Sequence, residues 1–290
     1  MTTAPIIFHS VAAMRATIAQ WRRGGDTLGL VPTMGALHAG HVSLIAIARQ
    51  RALRCIVTIF VNPAQFAPGE DLSKYPRTLA ADLEKVAAAG ADAVFAPLAP
   101  EMYPAGFCTS VALQGPAAAG LEDRFRPAHF GGVATVVTKL LTQALPDIAV
   151  FGEKDFQQLC VVRQLVRDLD MPVYIIGAPT LREADGLAMS SRNVNLTPDE
   201  RRSAPALNRA MQAAATRIVE GEPPAAALDL AQAEIAAAGL ALDYLELRDA
   251  TTLAPMPELS SKPCRLLVAA RLGQVRLIDN IDVKRGRRGP

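Results

Sequence analysis

Two histidines three residues apart, His38 and His41, lie in a run from Leu30 to Ser43 that also carries Gly35 and Gly40. A glycine beside a helix start lets a large anion approach the backbone without meeting a Cβ. The first amides of a helix lack internal partners and carry partial positive charge, and that combination binds phosphate. Imidazoles placed there donate hydrogen bonds to phosphate oxygens, and to charge that develops as a phosphoryl group reacts. On spacing alone two other readings stay open, a metal pair and ordinary loop histidines. A zinc site is disfavoured because the chain has no His-Glu-x-x-His helix and no paired cysteines nearby. Lys154 suits phosphate as a mobile point charge, and suits equally a surface ion pair with Glu153 or Asp155. Ser190 and Ser191 offer hydroxyl donors and Arg192 a bidentate grip on phosphate; the same residues also read as a polar turn. Together the three groups point to a triphosphate site. With no nucleophilic Ser-His or Cys-His pair beside them, the attacking group is a bound substrate, and catalysis rests on positioning and charge stabilisation.

These groups need a scaffold. The chain has 290 residues, half of them hydrophobic and 20% charged, which suits one large or two medium globular domains. A formal net charge of +2 does not suggest a nucleic-acid partner. The four cysteines, Cys55, Cys108, Cys160 and Cys264, are scattered and fit a reducing cytoplasm. There is no secretory signal pattern and no apolar run of about 18 residues, so no membrane span is expected.

Ser10 caps a predicted helix through Met14, Ile18 and Trp21. A strand follows at Thr27–Val31, ended by Pro32, then a helix from His41 to Ala52. The run Cys55–Val61 is apolar on both faces, as a parallel strand covered by helices requires. Gln65 leaves its end on the same sheet edge as the histidines. Ala67–Thr78 reads as a loop long enough for a lid, Thr78–Ala89 as a helix and Ala93–Ala96 as a strand. Between Pro97 and Gly132 glycine and proline break the pattern, with a candidate isolated strand at Thr109–Leu113. Then come a helix over Gly131–Leu145, a strand at Ile148–Phe151, a helix through Phe156 and Leu165, and a strand at Val173–Gly177. After Thr180 the pattern changes. Thr197–Val219 and Ala225–Ala238 read as helices, and Leu242–Leu247, Arg265–Ala270 and Gln274–Ile278 as strands. The basic run Lys284–Arg288 reads as a solvated end.

Six stretches resemble the pantothenate synthetases of the His-x-Gly-His nucleotidyltransferase superfamily. They are Pro32–His41, Phe60–Phe66, Tyr75–Thr78, His129–Val133, Phe151–Gln158 and Arg182–Asn193. The implied architecture is α/β: a Rossmann-like parallel sheet with helices on both faces over residues 1–179, and a smaller C-terminal α+β domain with a short antiparallel sheet over 180–290, closing over the ATP site. The implied reaction is ATP-dependent condensation of (R)-pantoate with β-alanine through pantoyl adenylate, giving pantothenate, AMP and pyrophosphate. Another adenylyl- or cytidylyltransferase of the superfamily is the alternative.

By the resemblance Met34, Gly35, Ala36, Leu37, His38, Ala39, Gly40 and His41 would line ATP, with His41 the proton donor and His38 its partner. Gly152, Glu153, Lys154, Asp155, Leu181, Met189, Ser190, Ser191 and Arg192 would also hold ATP, Lys154 and Arg192 being catalytic. Gln65, Gln158, Val136 and Val137 would meet pantoate, and Gln65 also β-alanine. Mg2+ would travel with ATP, Asp82 being its one candidate protein contact. The family further implies a homodimer. Pyrophosphate complexed with Mg2+ hardly needs a proton to leave, so His41 is expected to act mainly as a hydrogen-bond donor to transition-state charge.

Overall fold

Ser10 separates the first strand from the first helix: its hydroxyl accepts the N–H of Ala13, so β1 (Ile6–Phe8) gives way to α1 (Val11–Arg23). The computed structural model describes residues 4–67, 72–73 and 75–284. The chain divides into two compact units, Met1–Glu153 with Gln157–Pro179, and Lys154–Phe156 with Thr180–Pro290.

In the first unit β1, β2 (Leu28–Thr33), β3 (Arg54–Ile59), β4 (Ala93–Phe95), β5 (Ile148–Gly152) and β6 (Tyr174–Ala178) form a six-stranded sheet in the order β1-β4-β3-β2-β5-β6, parallel throughout. Strands such as β3, whose Cys55, Ile56 and Val57 are fully buried, need cover on both faces. α2 (Ala39–Arg51) and α3 (Leu79–Ala88) carry the chain from β2 to β3 to β4. Two short helices, α4 (Ala99–Met102) and α5 (Glu122–Phe125), precede α6 (His129–Ala144), which leads into β5. α7 (Phe156–Asp168) leads on to β6. The strand order runs outward in opposite directions from β2 and β5, and right-handed crossovers then place α2 and α3 on one face and α6 and α7 on the other. Leu44, Ile45 and Ala48 of α2 and Val86 of α3 pack with Val31, Val57, Val94 and Val150. The reversal point lies between β2 and β5, where open α/β sheets take their ligands.

The second unit contains α8 (Pro198–Ser203), α9 (Ala206–Glu220), α10 (Pro224–Ala237) and an antiparallel sheet of β7 (Ala241–Asp249), β8 (Cys264–Leu272) and β9 (Val275–Val283). Alternate residues of β8, Leu266, Val268 and Ala270, join Leu207, Met211 and Ile235 in its core.

Some boundaries differ from expectation for physical reasons. Pro32 does not end β2, which continues through it to Thr33. Thr27 and Thr33 turn their carbonyls to β3, accepting from Arg54 and Phe60, so the intervening Pro32 nitrogen faces the other way. There the pairing with β5 stops at Leu30, and no ladder bond is lost. The three-residue β1 is too short to show a period. Residues 109–113 form no strand; Val111 instead donates its N–H to Thr135 Oγ1 at 3.0 Å. The expected helix Thr197–Val219 is two helices, interrupted at Pro205. β9 runs on to Val283 through the polar Asp279 and Asn280. Of the expected lid, residues 68–71 and 74 lie outside the described residues, as does the basic run beyond Lys284.

Candidate functional site

The two histidines cap α2. His38 is its N-cap, and Nδ1 of His38 accepts the Gly40 N–H at 3.1 Å. His41 Nδ1 accepts the His38 N–H at 3.2 Å, completing a reciprocal capping box made of imidazoles. A neutral imidazole with one nitrogen accepting carries its proton on the other. Both rings are therefore fixed as Nε2–H tautomers, donors at Nε2, with centroids 4.1 Å apart. The helix starts two residues earlier than the apolar period indicates, because a cap residue need not be apolar.

The turn before the cap is held from α3. Gly35 and Ala36 have φ of 89° and 51°, and Ala36 is there despite its Cβ. Asp82, fully buried, accepts the N–H groups of Ala36 at 2.9 Å and Leu37 at 2.7 Å and the Thr78 hydroxyl at 3.1 Å. One turn on, Lys85 Nζ donates to Leu37 O at 2.6 Å. Gly35 sits at positive φ, where a Cβ would meet Ile59 Cγ2 at 3.1 Å and Asp82 Oδ2 at 3.2 Å, so glycine is favoured there.

Gln65 ends a 3-10 turn, Pro63–Gln65, after β3. Buried Asn62 orients it. Asn62 Oδ1 accepts from Ala64 N and from the Tyr103 hydroxyl, while its Nδ2 donates to Gly132 O and, at 3.0 Å, to Gln65 Oε1. Burial pushes the Tyr103 hydroxyl up to about 12, so it remains a donor. With Oε1 taken, Gln65 offers Nε2–H groups, one near Met34 Sδ at 3.3 Å. His129 Nδ1 donates to Gln65 O at 3.2 Å, and Arg126 donates to the same oxygen. α6 comes this close because residue 132 is glycine: a Cβ there would lie 2.2 Å from Ala64 O. The same helix buries Val136 and Val137. On α7 the neighbours Gln157 and Gln158 differ. Gln157 is buried and bonded to Glu122 N, Pro116 O and Asp123, a structural role, while Gln158 is half-buried.

Gly152 closes β5, and a single 3-10 turn, Glu153–Asp155, follows it. In the second unit Lys154 is largely buried, 3.9 Å from Asp155 Oδ1, and its carbonyl accepts from Asn280 Nδ2 at 2.8 Å. Residues 181–189 form a small hairpin, with Met189 N on Leu181 O and Glu183 N on Leu187 O. It leads to Ser190, whose Oγ accepts the Arg192 N–H and so keeps its own proton to donate. Arg201 bridges Glu183 and Asp185, and its guanidinium holds the Asp185 carboxyl below the ordinary carboxylate range.

The family described as Pantoate-beta-alanine ligase matches residues 6–282. The chain belongs to the pantoate-beta-alanine ligase family. It is 56% identical to pantothenate synthetase 2 of Bradyrhizobium diazoefficiens over 98% of this chain and all of that protein. The crystal structure of pantothenate synthetase from Thermus thermophilus superposes with TM-score 0.91 at 44% identity, covering 96% of this chain and 99% of that one. The pantoate-beta-alanine ligase of Francisella tularensis, solved with beta-gamma ATP and beta-alanine, gives TM-score 0.81 at 34% identity over 98% and 99% of the two chains. The six-stranded parallel sheet and three-stranded antiparallel sheet are the fold of this ligase family.

Against that family background, several positioning groups lie beyond the reach of the sequence. Asn62 has a signal there, an amide capping a turn at a strand end before proline. Tyr103, Lys85 and Asn280 have none, because their partners are remote along the chain. Asp82 does not fit a Mg2+ site, since both its oxygens already accept hydrogen bonds. Among the described residues no group of three or more His, Cys, Asp or Glu side chains could hold a metal ion, and no helix is long and apolar enough to cross a membrane.

Proposed function

We propose that this ligase joins (R)-pantoate to β-alanine with ATP, through pantoyl adenylate, releasing AMP and pyrophosphate. Full-length membership of the pantoate-beta-alanine ligase family is the observation that carries the reading. A free carboxylate is a poor acyl donor, and its mixed anhydride with AMP is a good one. The pantoate carboxylate attacks the α-phosphorus of ATP and pyrophosphate leaves. The β-alanine amine then attacks the acyl carbon and AMP leaves.

Met34–His41 line ATP, with the Nε2–H groups of His38 and His41 donating to phosphate charge as it builds; the cap bonds that fix their tautomers support this role. Lys154, Ser190, Ser191 and Arg192 hold phosphate oxygens, Gly152, Glu153, Asp155 and Met189 border the nucleotide, and Leu181 meets adenine through its backbone. Gln65, with its oxygen occupied by Asn62, donates to pantoate and then faces β-alanine; Gln158 is the second pantoate donor. Val136 and Val137 wall the pantoate site and limit access of water to the adenylate. Mg2+ brought with ATP would offset the phosphate charge, and Asp82, whose oxygens are engaged by Ala36, Leu37 and Thr78, would not hold it. The working form is a cytoplasmic homodimer, which sedimentation would test.

The test is an assay with ATP, pantoate and β-alanine, each omitted in turn, following pantothenate, AMP and pyrophosphate. Pantothenate and AMP should form together, only with all three present. AMP formation that needs no pantoate, or a dinucleotide-like product, would overturn the reading.

A further inference from the structure

The central polar dipeptide of β9, Asp279-Asn280, is buried on both sides, each residue 4% exposed. Adjacent residues of a strand point to opposite faces. Asp279 shares the face of Leu277 and Ile281, which pack in the apolar core of the second unit. Its carboxylate takes Arg182 bidentately, at 2.6 Å to Nη1 and 2.9 Å to Nη2, and accepts from Asn208 Nδ2 and from the Asn280 N–H. Arg182 also donates to Gly186 O and Asn280 O. The bridge Arg182–Ala188 and the Met189 N–H to Leu181 O bond then carry this anchorage to the start of Met189–Arg192.

Asn280 works on the opposite face. Arg265 Nη1, buried and also paired with Asp282, donates to Asn280 Oδ1 at 2.8 Å. That bond fixes the amide so that Nδ2 donates to Lys154 O at 2.8 Å. The same guanidinium lies 4.0 Å over the Phe156 ring. Residues 154 and 156 are thus gripped on either side of Asp155, by a pair of side chains from one small sheet.

We infer that Asp279 and Asn280 are positioning residues for the nucleotide: one strand sets the geometry of both Lys154 and the Met189–Arg192 segment. The inference rests on the proposed contact of those groups with ATP. Buried ion pairs and amides inside an apolar strand are costly to bury, and here each is spent on a different phosphate-gripping segment.

Asn280→Asp tests it. The variant keeps an oxygen for Arg265 and sets an acceptor against Lys154 O. Binding of α,β-methylene-ATP, measured by calorimetry, should weaken about tenfold, the scale of one lost buried hydrogen bond, and the KM for ATP should rise with that for β-alanine unchanged. In Asn280→Asp/Lys154→Ala the combined loss should fall well short of the product of the two single losses, because Asn280 acts largely through Lys154. Asp279→Asn should show the same dependence on Arg192→Ala. Multiplying effects, or unchanged ATP binding in a folded Asn280→Asp protein, would overturn the inference. Where that variant does not fold, Asn280→Ala takes its place, and failure of both to fold assigns Asn280 to stability and overturns it too. Native protein that binds ATP and makes no pantothenate would sink the substrate assignment alone, and native protein that binds no ATP would sink both.

Discussion

Asp82→Asn tests the reading of this buried acid as a backbone clamp and not a metal ligand. The carboxylate accepts from Ala36 N, Leu37 N and Thr78 Oγ1 at 2.9, 2.7 and 3.1 Å. An amide in the same place keeps one oxygen and turns its NH2 toward one of the two backbone N–H groups, donor against donor. One charge-assisted bond is lost and one buried amide stranded, together about 2–4 kcal/mol. For a folding unit of this size that lowers the melting temperature by roughly 5–15 °C. The strained turn makes the local effect larger than the global one. Ala36 sits at φ 51°, a conformation that costs about 1–2 kcal/mol and relaxes once the clamp weakens. His38, two residues on, then loses its station as the cap of α2. Pantoate-dependent exchange of pyrophosphate into ATP should fall about 100-fold, the scale of a displaced transition-state donor, at a temperature where circular dichroism shows the variant folded. Raising Mg2+ should restore nothing. Recovery of exchange with millimolar Mg2+ would refute the clamp and restore the ligand, and so would a variant that melts and exchanges like the native protein.

His41→Asn keeps an acceptor near Nδ1 and removes the Nε2 donor, so it should fold normally and lose about 10²–10³ in exchange rate; His41→Gln, which reaches toward Nε2, should recover part of that. Gly132→Ala places a Cβ 2.2 Å from Ala64 O, so the turn carrying Gln65 must move, and the KM for pantoate should rise at least tenfold with ATP binding retained, by calorimetry. Asp185, held low by Arg201, adds stability above the unfolded carboxylate pKa and gives it up as pH falls through its depressed folded value. In Arg201→Ala the Asp185 carboxyl should titrate at higher pH, which a carboxyl NMR titration would read, and most of this pH-dependent contribution to stability should disappear. Cys108 is exposed while Cys55, Cys160 and Cys264 are buried, and burial pushes Cys55 up to about 12, so among the four a thiol reagent should label Cys108 first in the native protein.

The parallel sheet was legible because β3 and β5 are continuous apolar runs and the intervening helices repeat at 3.6 residues. The placement of His38, Gln65 and Lys154 just beyond the ends of β2, β3 and β5 was legible by the same reading. What escaped were side chains whose work depends on distant partners. Asp82 looked like a spare oxygen ligand because sequence does not show that it faces the amides of Ala36 and Leu37, about 45 residues away. Asn280 and Asp279 lie 126 and 97 positions from Lys154 and Arg182, and no local pattern links such pairs. Pro32 and Pro205 failed in opposite senses. A proline breaks structure only where its missing N–H had a partner to lose, and that is decided by neighbouring strands or turns, not by the residue alone.

Pro32 also has a lasting effect on the sheet. Parallel strands gain a bond with each further residue they pair, and β5 stays paired with β6 to Gly152. Beyond Leu30 the pairing of β2 with β5 has stopped, and Pro32, which has no hydrogen to offer on that side, leaves no unmet donor in the gap. A valine at that position would put an N–H there in need of a partner.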